Sequence, residues 1–228
     1  MTHVLSLGGS IVAPEQPDID FLTRFRDTVR RHISDTGDQV VMVVGGGGPA
    51  RAYQKAYRAI EAGWDPPEAD WIGIAATRLN AQLLKALFGE ECRDPIVTDP
   101  TGVNRMSGSV LVGAGWKPGF STDYDAVLLA EQFGADTMVN LSNVAQVYSA
   151  DPKADPNARP LERVDWGEFR KLVGDDWTPG SNLPFDPVAT RKAAELGLRV
   201  IAAGGRNIEN LARILQRKSF FGTTIGPE

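Results

Sequence analysis

The chain has 228 residues, enough for one ordinary domain that buries roughly 70% of its unfolded surface, which rules out a mini-protein needing staples. Its 24 Lys and Arg against 29 Asp and Glu leave a net charge of −5, a field that repels nucleic acid and anionic membranes, so any anionic ligand must be met by local positive groups. One cysteine, Cys92, with only His3 and His32 beside it as soft ligands, excludes an intramolecular disulfide and a His/Cys zinc cluster within one chain, and no metal ligand is assigned.

Val4-Leu5-Ser6-Leu7 reads as a strand ending in Gly8-Gly9-Ser10, followed from about Asp18 by a helix with Leu22, Phe25, Val29 and Ile33 on one face. Val40 to Val44 is a buried-strand run ending in four glycines, and Pro49 suits the first position of a helix whose apolar face carries Tyr53, Tyr57 and Ile60. Asp65-Pro66-Pro67 breaks the chain before a long helix, about Ala69 to Phe88, with Ile72, Ala76, Leu79, Leu83 and Leu87 at helical spacing. Strands then fall near Ile96-Val97 and Val110 to Val112, a helix over Thr122 to Phe133, and a strand over Thr137 to Leu141. After a polar stretch come helices near Gly167 to Val173 and Pro187 to Leu196, a strand over Arg199 to Ala203, a helix capped by Asn207 and a last strand over Gly222 to Ile225. The alternation predicts an α/β fold: a three-layer αβα sandwich with a mainly parallel central sheet, in a single domain over 1–228. The longest apolar runs fall far short of the ~18–20 residues of a membrane span, and the N-terminus lacks a basic signal region, so a cytoplasmic protein is expected.

In such sheets ligands sit beyond the carboxyl ends of the strands, which is where the glycine clusters fall. Glycine there lets backbone N–H groups approach a phosphate. A P-loop is absent, since no lysine follows a glycine, and the G-x-G-x-x-A match at Gly45, Gly47 and Ala50 is weak because four consecutive glycines satisfy many patterns. Gly113 to Asp123 joins a strand to a helix; Thr122 as N-cap with Asp125 makes a variant capping box, and Lys117 and Phe120 suit a mobile clamp with a cation and a stacking ring. Asn140 to Pro152 carries polar side chains off a strand end, with Tyr148 and Asp151 placed to meet an adenosine, although a polar turn with a core tyrosine explains it equally well.

Together these clusters resemble the amino acid kinase superfamily, and within it the UMP kinases, most closely the archaeal type. The similarity runs from Leu5 to Ile225 and is most specific at Asp70 to Thr77, Pro118 to Asp123, and Asn143 with Val147 to Pro152. It implies a kinase that transfers the γ-phosphoryl of MgATP to UMP, with ATP and Mg2+ as cofactors and a homo-oligomer, hexameric by resemblance, as the assembly. By the same resemblance Gly46, Asp70, Thr77, Gly115, Lys117, Pro118, Phe120, Ser121 and Thr122 bind the acceptor; Gly8, Gly9, Ser10 and Gly47 bind phosphates; Ser142, Tyr148 and Asp151 hold adenosine. Arg51, Asn143 and Asp186 carry the catalytic roles, with Arg191 in place of a basic residue often found there.

Two departures stand out. Ser6 replaces a lysine common in the wider superfamily, a change shared by the archaeal type, and Ala145-Gln146 replaces the usual Asp-Gly after Asn143-Val144, which predicts a reshaped loop beside ATP. The alternatives are a kinase of the same superfamily acting on another anion and a non-catalytic protein that stores or senses a nucleotide or oxyanion; an NAD-dependent oxidoreductase ranks last. His3 and His32 read as a strand-edge and a helix-surface residue, Cys92 as a loop thiol, and Arg24, Arg26, Arg30 and Arg31 as a solvated face.

Overall fold

The computed structural model describes residues 1–150, 155–174 and 184–227. Its strands are β1 (Thr2–Leu7), β2 (Gln39–Val44), β3 (Val110–Gly113), β4 (Thr137–Ser142), β5 (Val147–Tyr148), β6 (Pro160–Leu161), β7 (Arg163–Val164), β8 (Arg199–Gly204) and β9 (Thr223–Ile225). The helices are α1 (Gly9–Val12), α2 (Ile19–Thr36), α3 (Gly47–Ile60), α4 (Pro66–Phe88), α5 (Thr122–Gln132), α6 (Trp166–Val173), α7 (Pro187–Glu195) and α8 (Ile208–Leu215).

Seven strands form one sheet in the order β3-β2-β1-β4-β8-β9-β7, the first five parallel and β9 antiparallel to β8. Because strand side chains alternate between faces, Leu5, Leu7, Met42, Val44 and Leu141 enter one core while Val4, Val41, Val43 and Met138 enter the other. Phe25 of α2, Leu84 and Phe88 of α4 and Leu211 of α8 cover the first face; Leu129 of α5, Phe169 of α6 and Ala193 of α7 cover the second. This is the expected three-layer sandwich. Register places Leu7 opposite both Val44 and Leu141, and Ser142 opposite Gly204, so these strands end level and Gly8, Gly45, Asn143 and Gly205 leave the sheet along one edge.

Several expectations are corrected. The buried stripe of α4 is Ile74, Thr77, Asn80, Ala81, Leu84 and Phe88, while Leu79 is 67% exposed. Two polar residues lie on the inward face, so an apolar-only pattern rotates the helix the wrong way. On α3 only Gly47 and Ala50 are buried and Tyr53 and Ile60 face outward; the helix begins at Gly47, with Pro49 in its third position rather than its first. Pro66 and Pro67 do not merely break the chain but open α4, where missing N–H groups cost nothing. The strand expected at Ile96-Val97 reduces to a single bridge, Val97 to Gly113, in a segment closed in by Pro95 and Pro100. His32 is buried rather than on the helix surface, three residues after the inward Val29. Arg30 is only partly solvated: it pairs with Glu91 at 2.9 Å and donates to Leu87 O.

Candidate active site

The amides of Gly8 and Gly45 are committed to Leu141 O (2.8 Å) and Leu7 O (2.9 Å), which carries each strand's pairing one residue further. Beyond them the two glycine loops interlock. A Cβ on Gly9 would overlap the backbone of Gly45 and Gly47, and Gly47 adopts φ +66, a left-handed conformation that glycine takes without strain. Loop-to-loop contact therefore already demands glycine here, before any ligand does. The amides of Gly9, Ser10 and Gly47 are first-turn donors of α1 and α3, which have no intrahelical acceptor; such donors favour an anion. Arg51, exposed one turn into α3, donates from Nη2 to Pro14 O at 3.0 Å across the same joint.

From the other side α4 fixes this joint and a second loop. Asn80 Nδ2 donates to Gly45 O (2.8 Å) and Gly46 O (3.3 Å). The Thr77 hydroxyl donates to Ile74 O (2.7 Å) and accepts from Gly115 N–H (2.8 Å), and Asp70 Oδ2 accepts from Gly119 N–H (3.0 Å). Thr77 is thus a positioning residue for Gly115, with its hydroxyl already committed. In the loop itself Trp116, Phe120 and Tyr124 stack with centroids 5.3 and 4.7 Å apart, and Lys117 Nζ lies 3.7 Å from the Trp116 ring centre. Pro118 leads into Gly119, which has φ +87. Ser121, not Thr122, caps α5, its Oγ accepting from Tyr124 N–H at 3.2 Å; Thr122 is the first helical residue. Sequence reasoning missed Asn80, whose signal was a polar residue within an apolar helix face. It also missed Arg78, which donates to Trp116 O (3.4 Å) and buries an Nε without a partner.

Beneath these loops lie three carboxylates. Asp123 accepts from the Ser6 hydroxyl at 2.7 Å, so Ser6 ties β1 to α5. Asp123 is partly exposed as a residue, but its carboxyl is enclosed, and burial pushes its pKa up to about 6 against the opposing Ser6 hydrogen bond. Asp125 Oδ2 accepts from Trp116 N–H (3.1 Å); burial, reinforced by the charges of Asp123 and Asp186, pushes it up to about 7. Asp186 caps α7, its Oδ1 accepting from Ala189 N–H (2.6 Å) while Oδ2 is buried without a partner. Burial raises its pKa too, with the Ala189 amide first, then the nearby Ser121 hydroxyl, the Val188 amide and the Arg191 charge pulling the other way. Asn140 Nδ2 donates to Pro184 O (2.9 Å) and holds the approach to Asp186. In sequence Asp123 reads as the end of the Pro118–Asp123 motif and Asp125 as part of a capping box; their long-range partners carry no local signature.

On the far side of β1, Ser142 Oγ accepts from Val144 N–H (3.0 Å), Asn143 is exposed, and Tyr148 is half-buried on β5. Asp151 lies outside the described residues. The Ala145-Gln146 departure is absorbed without strain. Gln146 is buried and donates to Gly222 O (3.2 Å), Val147 N–H bonds Thr223 Oγ1 (2.9 Å), and among the described residues Arg217 is the one non-glycine with positive φ.

A parallel sheet with glycine loops and polar turns along the carboxyl ends of its strands defines the class: a three-layer α/β protein whose ligand site spans those loops. The family model described as "Amino acid kinase family" matches residues 1–203, and the chain belongs to that family. It is 36% identical over 233 residues to the uridylate kinase of Methanospirillum hungatei JF-1, covering 98% of this chain and 94% of that one. The uridylate kinase of Pyrococcus abyssi is 32% identical over 230 residues, with both chains fully covered. The crystal structure of uridylate kinase from Archaeoglobus fulgidus superposes with a TM-score of 0.84 at 33% identity, over 99% of this chain and 100% of that one.

Proposed function

We propose that the chain is an ATP-dependent UMP kinase, transferring the γ-phosphoryl group of ATP to a phosphate oxygen of UMP to give ADP and UDP. The observation that carries this reading is end-to-end similarity to archaeal uridylate kinases in a chain whose glycine joint, clamp loop and carboxylates share one sheet edge. Gly46 and Asp70 take UMP, with Gly115, Lys117, Pro118, Phe120, Ser121 and Thr122 around its base and phosphate. Gly8, Gly9, Ser10, Gly47 and Arg51 cradle the donor and transferred phosphates, and Ser142, Asn143, Tyr148 and Asp151 hold the adenosine.

The attacking phosphate oxygen is already anionic, so no strong general base is needed. The residues instead align two mutually repelling anions and stabilise spread charge, and removing one well-placed donor costs on the order of 10² to 10³ in rate. Asp125, whose burial holds it near half-protonated at neutral pH, lowers the negative charge that the site presents to phosphate. Asp186 fits Mg2+: its Oδ2 is buried without a partner, and a carboxylate oxygen is the hard donor this cation takes. When bound, the ion supplies neutralising charge at the phosphates.

The unit is a single domain over 1–228. The exposed apolar residues Tyr53, Ile60, Trp64, Trp71 and Leu79 on α3, on α4 and between them support a homo-oligomer, hexameric by resemblance. No described helix is long and apolar enough to cross a membrane, in keeping with work in the cytoplasm.

The test is ADP release with MgATP against UMP, CMP, dTMP and small carboxylates. UMP turnover is expected, together with a raised KM for UMP in Asp70→Ala. Turnover with a carboxylate and not UMP supports a different acceptor, whereas ATP binding without turnover on any acceptor supports storage or sensing. An unchanged KM in Asp70→Ala overturns the role given to that carboxylate.

A further inference from the structure

At the opposite edge of the sheet, three side chains that phosphoryl transfer does not use come together. His3 stands on β1, His32 in the last two turns of α2, and Asp38 in the turn from α2 to β2. Asp38 Oδ2 lies 3.0 Å from His3 Nε2 and 3.4 Å from His32 Nε2, and the three donor atoms all fall within 4.8 Å of one another. The two imidazoles meet edge to face with centroids 4.8 Å apart. His32 is 5% exposed; its Nδ1 has no hydrogen-bond partner, and its Nε2 reaches only the Asp38 carboxylate, at the long distance of 3.4 Å. Packing alone does not account for a buried imidazole left in that state, because buried polar groups are ordinarily paired.

We propose that His3 Nε2, His32 Nε2 and Asp38 Oδ2 form a binding site for a divalent transition-metal ion of the zinc type, with water as the remaining ligand. Bonds of about 2.0–2.2 Å in a tetrahedron set ligand atoms about 3.3–3.6 Å apart; the 3.0 and 3.4 Å separations from Asp38 need only small adjustment, and the two imidazoles, whose donor atoms lie within 4.8 Å of one another, turn toward each other on binding. Two imidazoles with one carboxylate select zinc-like ions over Mg2+ or Ca2+, which take oxygen. Asp38 Oδ1 accepts from the Met1 amine at 2.8 Å, an outer contact that orients the carboxylate. Counting only histidine and cysteine excluded zinc from the sequence; the carboxylate of Asp38 supplies the missing ligand. The ion ties β1, α2 and the turn into β2 together, so its role is to stabilise the fold.

The experiment uses the full chain without a histidine tag, stripped with a chelator and titrated with Zn2+ alone by calorimetry and with Co2+ by visible absorption. One equivalent of Zn2+ per chain, the intense visible bands of four-coordinate Co2+, and a melting temperature raised by roughly 5–10 °C at a hundredfold excess over Kd are expected. His3→Asn and Asp38→Asn, both at partly exposed positions, should weaken Zn2+ binding more than about 100-fold. Circular dichroism and the metal-free melting temperature establish that they fold. Wild-type protein that binds no stoichiometric Zn2+, shows only the weak spectrum of six-coordinate Co2+, or binds no better than His3→Asn overturns the proposal.

Discussion

Replacing Asp125 by Asn isolates the electrostatic cost of the buried carboxylates. Asp125 is 1% exposed, its Oδ2 takes the Trp116 amide, and its Oδ1 is buried without a partner. Burial raises its pKa from 3.8 to about 7, so the folded chain holds a proton that the unfolded chain has released. With more protons bound in the folded state, stability falls as pH rises from the unfolded value toward the folded one. The interval from 3.8 to about 7 corresponds to on the order of 4 kcal/mol, and because Asp123 and Asp186 share the titration the expected gain is about 2–4 kcal/mol. Asn keeps an acceptor for the Trp116 amide and never ionises. Urea denaturation should therefore find Asp125→Asn more stable than wild type by that amount near pH 8 and by under about 1 kcal/mol near pH 4. A difference that does not change with pH, or a variant less stable near pH 8, contradicts a raised pKa at Asp125.

Gly9→Ala places a methyl group against the Gly45 and Gly47 backbones, which cannot rotate away; a loss of about 3 kcal/mol or more, some 6–12 °C in Tm, is expected, and a wild-type melting curve contradicts the interlocked loops. Asn80→Ala leaves two backbone carbonyls without their donor and should cost about 1–3 kcal/mol in urea denaturation while lowering kcat/KM for UMP, whereas unchanged kinetics would remove Asn80 from the support of the site. Cys92 is buried, and burial raises its thiol pKa, so a disulfide reagent near pH 8 should label it slowly in native protein and rapidly in urea; fast native labelling contradicts this.

The parallel sheet was legible because its strands are continuous apolar runs closed by glycine, as at Val40 to Gly48, and helices were legible where a capping residue stands at their start in sequence, as Asp18 and Asn207 do. The short strands β5, β6 and β7 were not legible, since two residues hold no periodicity and their pairing is set by tertiary contact. Within the site, Gly8, Gly9, Gly46, Gly47, Asp70 and Asp186 could be found because each sits in a local pattern. Asn80 escaped notice, and the contacts of Ser6, Asp123 and Asp125, though each residue was singled out, could not be read, because they lie far along the chain: Ser6 meets Asp123 across 117 residues and Asn80 meets Gly45 across 35. The His3, His32 and Asp38 group is hidden in the same way, on a strand, a helix and a turn. Tyr53 and Ile60 misled in the opposite direction: helical spacing reports an apolar face without saying whether this chain or a second copy covers it.

Phosphorus NMR of the purified chain with ATP, Mg2+ and UMP follows donor and acceptor in one sample. ATP and UMP are expected to disappear in a one-to-one ratio while ADP and UDP appear together. ATP and UMP both left intact, or phosphate released to water with UMP unchanged, would contradict phosphoryl transfer to UMP.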